Sequence, residues 1–330
     1  MDDPRAGIKN RLDALLNVPF GSLATAAQDA IAEDATFDLA FPLNRLQGRD
    51  AFVEDFIIPL RTALPHVRRR DEIFIGGHNT RADGGWWAAS VTHYVGCHAG
   101  PFLGALPSGR LAYFRAGEFY EVADGKIVRA RIIFDLPDLM RQAGHSPFPN
   151  DLGAEILFPS PETHDGVFPN SPVNGESALQ TVERMFAGLH AYDPKTYASA
   201  GQIGEGGTWD DGLMWYGPGG IGSNTRWEGF VADHRRSFLD AFPDRAGGNH
   251  YCRISDGPYA AVSGWPSMTM THSGPYLGLP ETGKALTLRV MDFYRCAGGR
   301  IMENWVLLDL GDLYGQMGGD IFARQPPPQA

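Results

Sequence analysis

Two carboxylates stand in strands that are otherwise aromatic and apolar, Glu118 in Ala116-Gly-Glu-Phe-Tyr120 and Asp292 in Val290-Met-Asp-Phe-Tyr294. Side chains alternate across a strand, so each acid shares a face with the tyrosine two residues on. A carboxyl buried there has a raised pKa, the condition for taking or giving a proton near neutral pH. The plainer alternative is an acid paired with Arg115 or Arg289, or one facing a domain interface. His98 and His272 each end a long strand just before Gly-Pro; an imidazole there is either a proton partner for the acid or a ring bonded to its own turn. His234 shares a helix face with Phe230 and Phe238, as a core histidine or as one that faces a pocket. His250, opening a strand after Gly-Gly-Asn, is either surface or a substrate contact. The run Trp209-Asp-Asp-Gly-Leu-Met-Trp-Tyr-Gly-Pro-Gly-Gly-Ile-Gly222 offers Trp215 and Tyr216 as flat area with polar tips for a ring-bearing ligand. Its glycines allow tight turns, and it reads equally as a packed lid.

Other chemistries find less support. The run has no Lys-Ser/Thr after its glycines, so it is not a phosphate loop. His234, His250, His272 and Asp292 have no metal-binding spacing, and no Gly-x-Ser-x-Gly elbow or Cys-His-Asn signature appears. The expectation is an enzyme without metal or cofactor. A formal net charge of -11 and no basic run longer than Arg68-Arg69-Arg70 argue against nucleic acid or an anionic membrane as partner. The opening Met1-Asp2-Asp3-Pro4 lacks the order of an export leader. No apolar run is long enough to span a bilayer, and Cys97, Cys252 and Cys296 have no disulfide-like spacing. These features predict a soluble, cytoplasmic protein.

The elements that must position these residues come in two copies. His98-Ala-Gly-Pro-Phe-Leu-Gly104 is answered by His272-Ser-Gly-Pro-Tyr-Leu-Gly278, an offset of 174 residues that also carries Glu118 onto Asp292, Asp135 onto Asp309 and Gln142 onto Gln316. So long a period makes each copy a whole domain. The chain divides into residues 1–148, a Pro/Gly/Asn-rich linker at 149–172, and 173–330. Helical patterns come first: Ile8 to Leu16, Ala24 to Ala32 and Ala51 to Leu64 in copy one, Ala178 to Leu189 and Phe230 to Phe242 in copy two, with Asp193-Pro194 opening a further helix. Strand patterns follow Pro65 and Pro243: Ile73 to Ile75, Trp86 to Cys97, Leu111 to Val122 and Val128 to Phe134, then His250 to Ile254, Tyr259 to His272, Ala285 to Cys296 and Ile301 to Leu308. Helices before hairpin-linked strands predict an α+β class with a mostly antiparallel sheet.

The Gly-Arg-Asp-Ala-Phe helix entry at 48–52, the Ala-Leu-Pro and Ala-Phe-Pro-Asp helix ends, the His-x-Gly-Pro-x-Leu-Gly turn and the closing Asp-Leu-x-Asp-Leu-x-x-Gln-x-Gly together resemble the SnoaL-like polyketide cyclases of the NTF2-like superfamily. The resemblance implies two tandem cone domains, each a curved sheet wrapped on three helices around one apolar pocket. It also implies pairing of the two domains through their outer sheet faces, with a further homodimer left open. The acid–base aspartate of those cyclases lies ten residues before the closing Gln, where this chain has Ile132 and Val306; two residues earlier stand Ala130 and Asn304. Only copy two is polar there. The resulting expectation is a general acid–base enzyme, a lyase or isomerase performing aldol-type cyclisation, dehydration or enolisation on a small, ring-bearing carbonyl compound. Its pocket is in domain 2, with Asp292 as base, His272 or His234 as proton partner, Asn304 and Tyr216 as donors and Trp215 as wall. Glu118 and His98 would contact ligand in copy one. The rival reading is a non-catalytic binding or scaffolding protein.

Overall fold

The computed structural model describes residues 3–170, 177–189, 191–199 and 201–326. Met1-Asp2, the last two residues of the expected linker, the start of the second expected domain and the end of the Pro-rich tail lie outside the described residues. Copy one contributes strands β1 Ile31–Leu39, β2 Arg45–Gln47, β3 Arg68–His78, β4 Trp86–Cys97, β5 Leu111–Ala123 and β6 Lys126–Phe134. Copy two contributes β7 Trp209–Tyr216, β8 Asn224–Thr225, β9 Cys252–Asp256, β10 Tyr259–Thr271, β11 Ala285–Ala297 and β12 Arg300–Leu308. They form two six-stranded sheets, β2-β1-β6-β5-β4-β3 and β8-β7-β12-β11-β10-β9. All pairs are antiparallel except β1 with β6 and β7 with β12. The α+β, mostly antiparallel expectation is met.

The helices sit in the hollow of each sheet. In copy one these are α1 Pro4–Asn17, capped by Asp3, then α2 Leu23–Ala30, and a third that runs as α3 Arg49–Phe52, a π-turn Val53–Ile57 and α4 Ile58–Ala63. Copy two has α6 Ala178–Ala187, opened by a Ser177/Gln180 capping box, and α7 Arg226–Phe230, a π-turn Val231–Arg235 and α8 Arg236–Ala241. The helix expected to open at Asp193-Pro194 does not form. Asp193 instead accepts from the Lys195 amide (2.8 Å) and the Thr196 hydroxyl (3.2 Å), and Tyr197 takes a positive φ, so the chain turns. The predicted Ala24–Ala32 helix stops two residues early, where β1 begins.

Short helices α5 Leu136–Gln142 and α9 Leu310–Gln316 explain the repeated closing motif. Asp135 and Asp309 cap them, while Gln142 and Gln316 bond back to both backbone groups of Tyr113 and Thr287. That motif is structural in both copies.

The two sheets pack through their outer faces. Phe119 meets Phe293 at 5.5 Å between ring centres, and a Cβ added to Gly117 would lie 3.1 Å from Leu307. The contacts reciprocate as in a two-fold dimer: the Gly219 amide donates to Asp135 (2.8 Å), and the Phe41 amide at the matching place in copy one donates to Asp309 (3.1 Å). The linker is part of this interface. Phe158 is buried, and the Trp305 indole donates to the Pro159 carbonyl at 3.0 Å. The glycines after Tyr216 belong here too, since side chains at Gly219 and Gly220 would stand 2.8 Å from Asp138 and 2.1 Å from the Phe148 ring. No described helix is long and apolar enough to cross a membrane.

Candidate functional site

Inside the copy-two cone lies a cavity of about 110 Å³. Its walls are Trp209 and Trp215 from β7, Phe230, His234 and Phe238 from the helix that runs as α7, π-turn and α8, Leu288, Val290, Asp292 and Tyr294 from β11, and Asn304, Val306 and Leu308 from β12. Strand alternation aims the β11 and β12 residues at one space. Asp292 is half-buried and lines this cavity. Asn304 approaches it with the amide nitrogen at 3.5 Å, and the Tyr294 phenol also donates to it. No cation pairs with it among the described residues. Burial therefore dominates over the two donors and pushes its pKa up to about 7.

His234 stacks on Trp215, with centroids 4.4 Å apart and planes 16° from parallel. Burial, with Arg235 and Arg245 close by, pushes its pKa down to about 3 and holds the ring neutral. Its Nδ1 is sealed without a partner, which leaves Nε2 as the nitrogen open to a ligand. His250 also lines the cavity; its Nδ1 accepts from the Arg253 guanidinium at 3.1 Å, and burial next to Arg253 and Arg81 lowers its pKa to about 3.

The interior of copy one differs among the described residues. Its interior is reduced to a space of about 10 Å³. Phe37 and Phe52 stack at 4.0 Å, and Phe56, Phe102, Phe114 and Phe134 continue the aromatic filling. Glu118 lies beneath it, gripped by both terminal nitrogens of Arg69 (2.7 and 3.2 Å), the Ser90 hydroxyl (2.8 Å) and the Tyr94 phenol. Strand pairing identifies what replaces these partners in copy two. Val262 lies opposite Asp292 as Ser90 lies opposite Glu118; Met268 occupies the place of Tyr94; and the Ala246–Thr269 bridge puts Gly247 where Arg69 stands. β10 also breaks register between Gly264 and Met268, where β4 runs on without a break, and the displaced Ser267 and Met268 line the cavity.

The sequence profile described as SnoaL-like polyketide cyclase matches residues 21–143 and 214–317, one segment in each copy and together more than half of the chain. The chain belongs to the SnoaL-like polyketide cyclase family. Solved structures that it resembles include IdmH from Streptomyces antibioticus (19% identity, 43% of this chain and 99% of that one, TM-score 0.35) and TsrD from Streptomyces laurentii (16%, 44% and 98%, 0.35). Another is a protein from Catenulispora acidiphila described as having a ketosteroid isomerase-like fold, in complex with trimethylamine (13%, 42% and 92%, 0.32). No curated protein matches the chain.

Within this tandem SnoaL-like chain, Asp292, His234, Asn304, Trp215 and His250 come together around one cavity. His272 and Tyr216 do not. His272 sits past the end of β10, its Nδ1 at 3.0 Å from the Thr282 hydroxyl and its ring against Phe242. Tyr216 falls on the opposite face of β7 from Trp215 and donates to Glu303 at 3.1 Å, under the other domain. Trp215 and Tyr216 are neighbours in a strand, which sends the two rings to opposite faces, so Tyr216 is not a donor in the cavity. Glu118 is sealed in the copy-one core, paired with Arg69 rather than with Arg115. His98 is buried at the end of β4, both ring nitrogens without a partner. Among the described residues, no three His, Cys, Asp or Glu side chains are grouped to hold a metal ion. Tyr294, Arg235 and Arg245 also line the cavity and are not among the residues expected there from the sequence. The signal for Tyr294 was its shared face with Asp292; for the arginines it was their replacement of Ile57 and Val67 in copy one.

Proposed function

We propose that copy two is a general acid–base catalyst of the lyase or isomerase class, enolising a small, ring-bearing carbonyl compound, and that copy one is its scaffold. The observation that carries this reading is Asp292, a carboxylate without a cation in an aromatic cavity, its pKa near 7. A base of that pKa is half ionised at neutral pH and strong enough to take a proton next to a carbonyl. Asn304 and Tyr294 orient the carboxylate. Neutral His234, as its Nε2–H tautomer, donates to the oxygen on which the enolate charge collects, and Trp215 stacks behind that imidazole. Returning the proton from Asp292 to a different carbon gives isomerisation; loss of a leaving group or attack on a second carbonyl gives dehydration or ring closure. The proposal needs no cofactor. The scaffold role of copy one is supported by its aromatic filling and by the ion-paired Glu118.

Deuterium exchange into the acidic CH₂ of 2-tetralone, followed by NMR in deuterated buffer at neutral pH, tests this without knowledge of the natural substrate. The chain is expected to accelerate exchange over buffer and Asp292→Asn to remove at least ~100-fold of that acceleration. An Asn variant that exchanges as fast as the parent overturns the assignment.

A further inference from the structure

The cavity holds a second charged feature that proton transfer does not use. Arg235 and Arg245 both line it, and neither has a carboxylate partner among the described residues. Arg235 is only 6% exposed. A guanidinium has five N–H donors. Arg235 uses Nε on the Tyr197 carbonyl (2.6 Å) and one Nη on the Ser199 hydroxyl (3.1 Å), while Arg245 uses one Nη on the Leu189 carbonyl (3.2 Å). Holding Leu189, Tyr197 and Ser199 therefore engages a minority of their donors.

Arg245 is also close enough to disfavour the charge of Arg235. Burial lowers the pKa of Arg235 to about 10, with Arg245 adding to the effect. Two desolvated like charges with no counter-ion are a costly arrangement, and a bound anion relieves it. The filled copy carries no such arrangement: Ile57 stands in its π-turn where Arg235 does, and Val67 follows Pro65 as Arg245 follows Pro243. Both are buried and apolar. The guanidiniums thus accompany the cavity and are missing where it is missing. They press on His234, whereas Asp292 feels only burial and its two donors.

We propose that the ligand of copy two is a carboxylic acid, its carboxylate bound between Arg235 and Arg245 and its carbonyl carbon skeleton directed towards Asp292. This rests on copy two being a ligand cavity, but not on Asp292 performing proton transfer. The test is calorimetric titration of the full chain with 2-naphthoate and with methyl 2-naphthoate, which share ring and shape but not charge. The acid is expected to bind at least tenfold more tightly than the ester, and its affinity to fall as salt is raised. Arg245→Met, at the less buried of the two positions, is expected to abolish the preference. Arg235→Met should do the same where it folds, and Arg245→Met stands as the test where it does not. An ester that binds as tightly as the acid, no binding of the acid, or a preference that survives Arg245→Met overturns the proposal. Asp292→Asn separates the two readings, because it is expected to keep the acid preference. If Asp292→Asn loses deuterium exchange while acid and ester bind alike in the parent, the carboxylate site fails and catalysis stands. If the acid is preferred but Asp292→Asn still exchanges, the reverse holds.

Discussion

Glu118 and Asp292 occupy the same position of the same strand in two copies of one domain, each with a tyrosine two residues on, yet the groups within reach of the two carboxylates differ. Glu118 has an arginine, a serine and a tyrosine phenol as partners, with six phenylalanines filling the space above. Asp292 has a valine, a methionine and a glycine in the partners' places, and a cavity in place of the phenylalanines. Trp215 and His234 take the positions of Phe37 and Phe56, and Leu288 and Leu308 those of Phe114 and Phe134. The difference teaches that a carboxylate in an aromatic strand is structural or reactive according to its neighbours, not its own position. Removing a partner cation while opening a void turns an ion-paired acid into one with a raised pKa.

The largest effect that would break this comparison is on stability in copy one. Glu118→Gln leaves Arg69 buried with only Asp71 as ion partner, a loss on the order of 3 kcal/mol. The expected fall in thermal midpoint is roughly 6–12 °C. A midpoint within a degree or two of the parent would mean that the pair is not what holds copy one. Next is the effect of making copy two resemble copy one. His234→Phe removes a sealed, unpartnered Nδ1 and should raise stability by ~1 kcal/mol, while lowering deuterium exchange about tenfold through loss of the donor to the enolate. Unchanged exchange would remove His234 from the mechanism. The smallest effects belong to the two residues that lie outside the cavity. Tyr216→Phe should cost about 1 kcal/mol through its hydrogen bond to Glu303 and change exchange less than twofold, as should His272→Gln. A tenfold drop in exchange for either would show that the active space extends beyond the cavity described.

How much of this was legible in the sequence follows from where the repeat keeps its register. From His98 onward the copies match at one offset, so β5, β6 and their counterparts, and with them Asp292, could be read from the printed chain. The amino-terminal halves are out of that register: the π-turns begin at Val53 and Val231, four residues off the 174 of the strand halves. β7 was hidden because Asp210, Asp211 and Gly212 interrupt its apolar alternation. Missing it turned Tyr216 from an interface residue into an expected ligand contact. The π-turn hid Arg235. In a regular α-helix, His234 and Arg235 project about 100° apart, and only the histidine shares the face of Phe230 and Phe238. The extra residue of a π-turn widens the helix and brings both to the cavity.

Asp292 bears a charge that the fold resists. Its folded pKa of about 7 exceeds the ordinary 3.8, so the folded state favours the proton. Stability is therefore undiminished below the unfolded pKa, falls as pH rises from there to about 7, and stays reduced above it. The full cost of the charge is up to ~4 kcal/mol, less the solvation that water in the cavity supplies. Asp292→Asn removes that cost, so the most direct measurement is the midpoint difference between this variant and the parent from pH 4 to pH 8. The variant is expected to lie close to the parent at pH 4 and to be more stable by several degrees at pH 8, opposite in sign to Glu118→Gln. A variant less stable than the parent at pH 8 would show instead that Asp292 is a paired structural acid like Glu118.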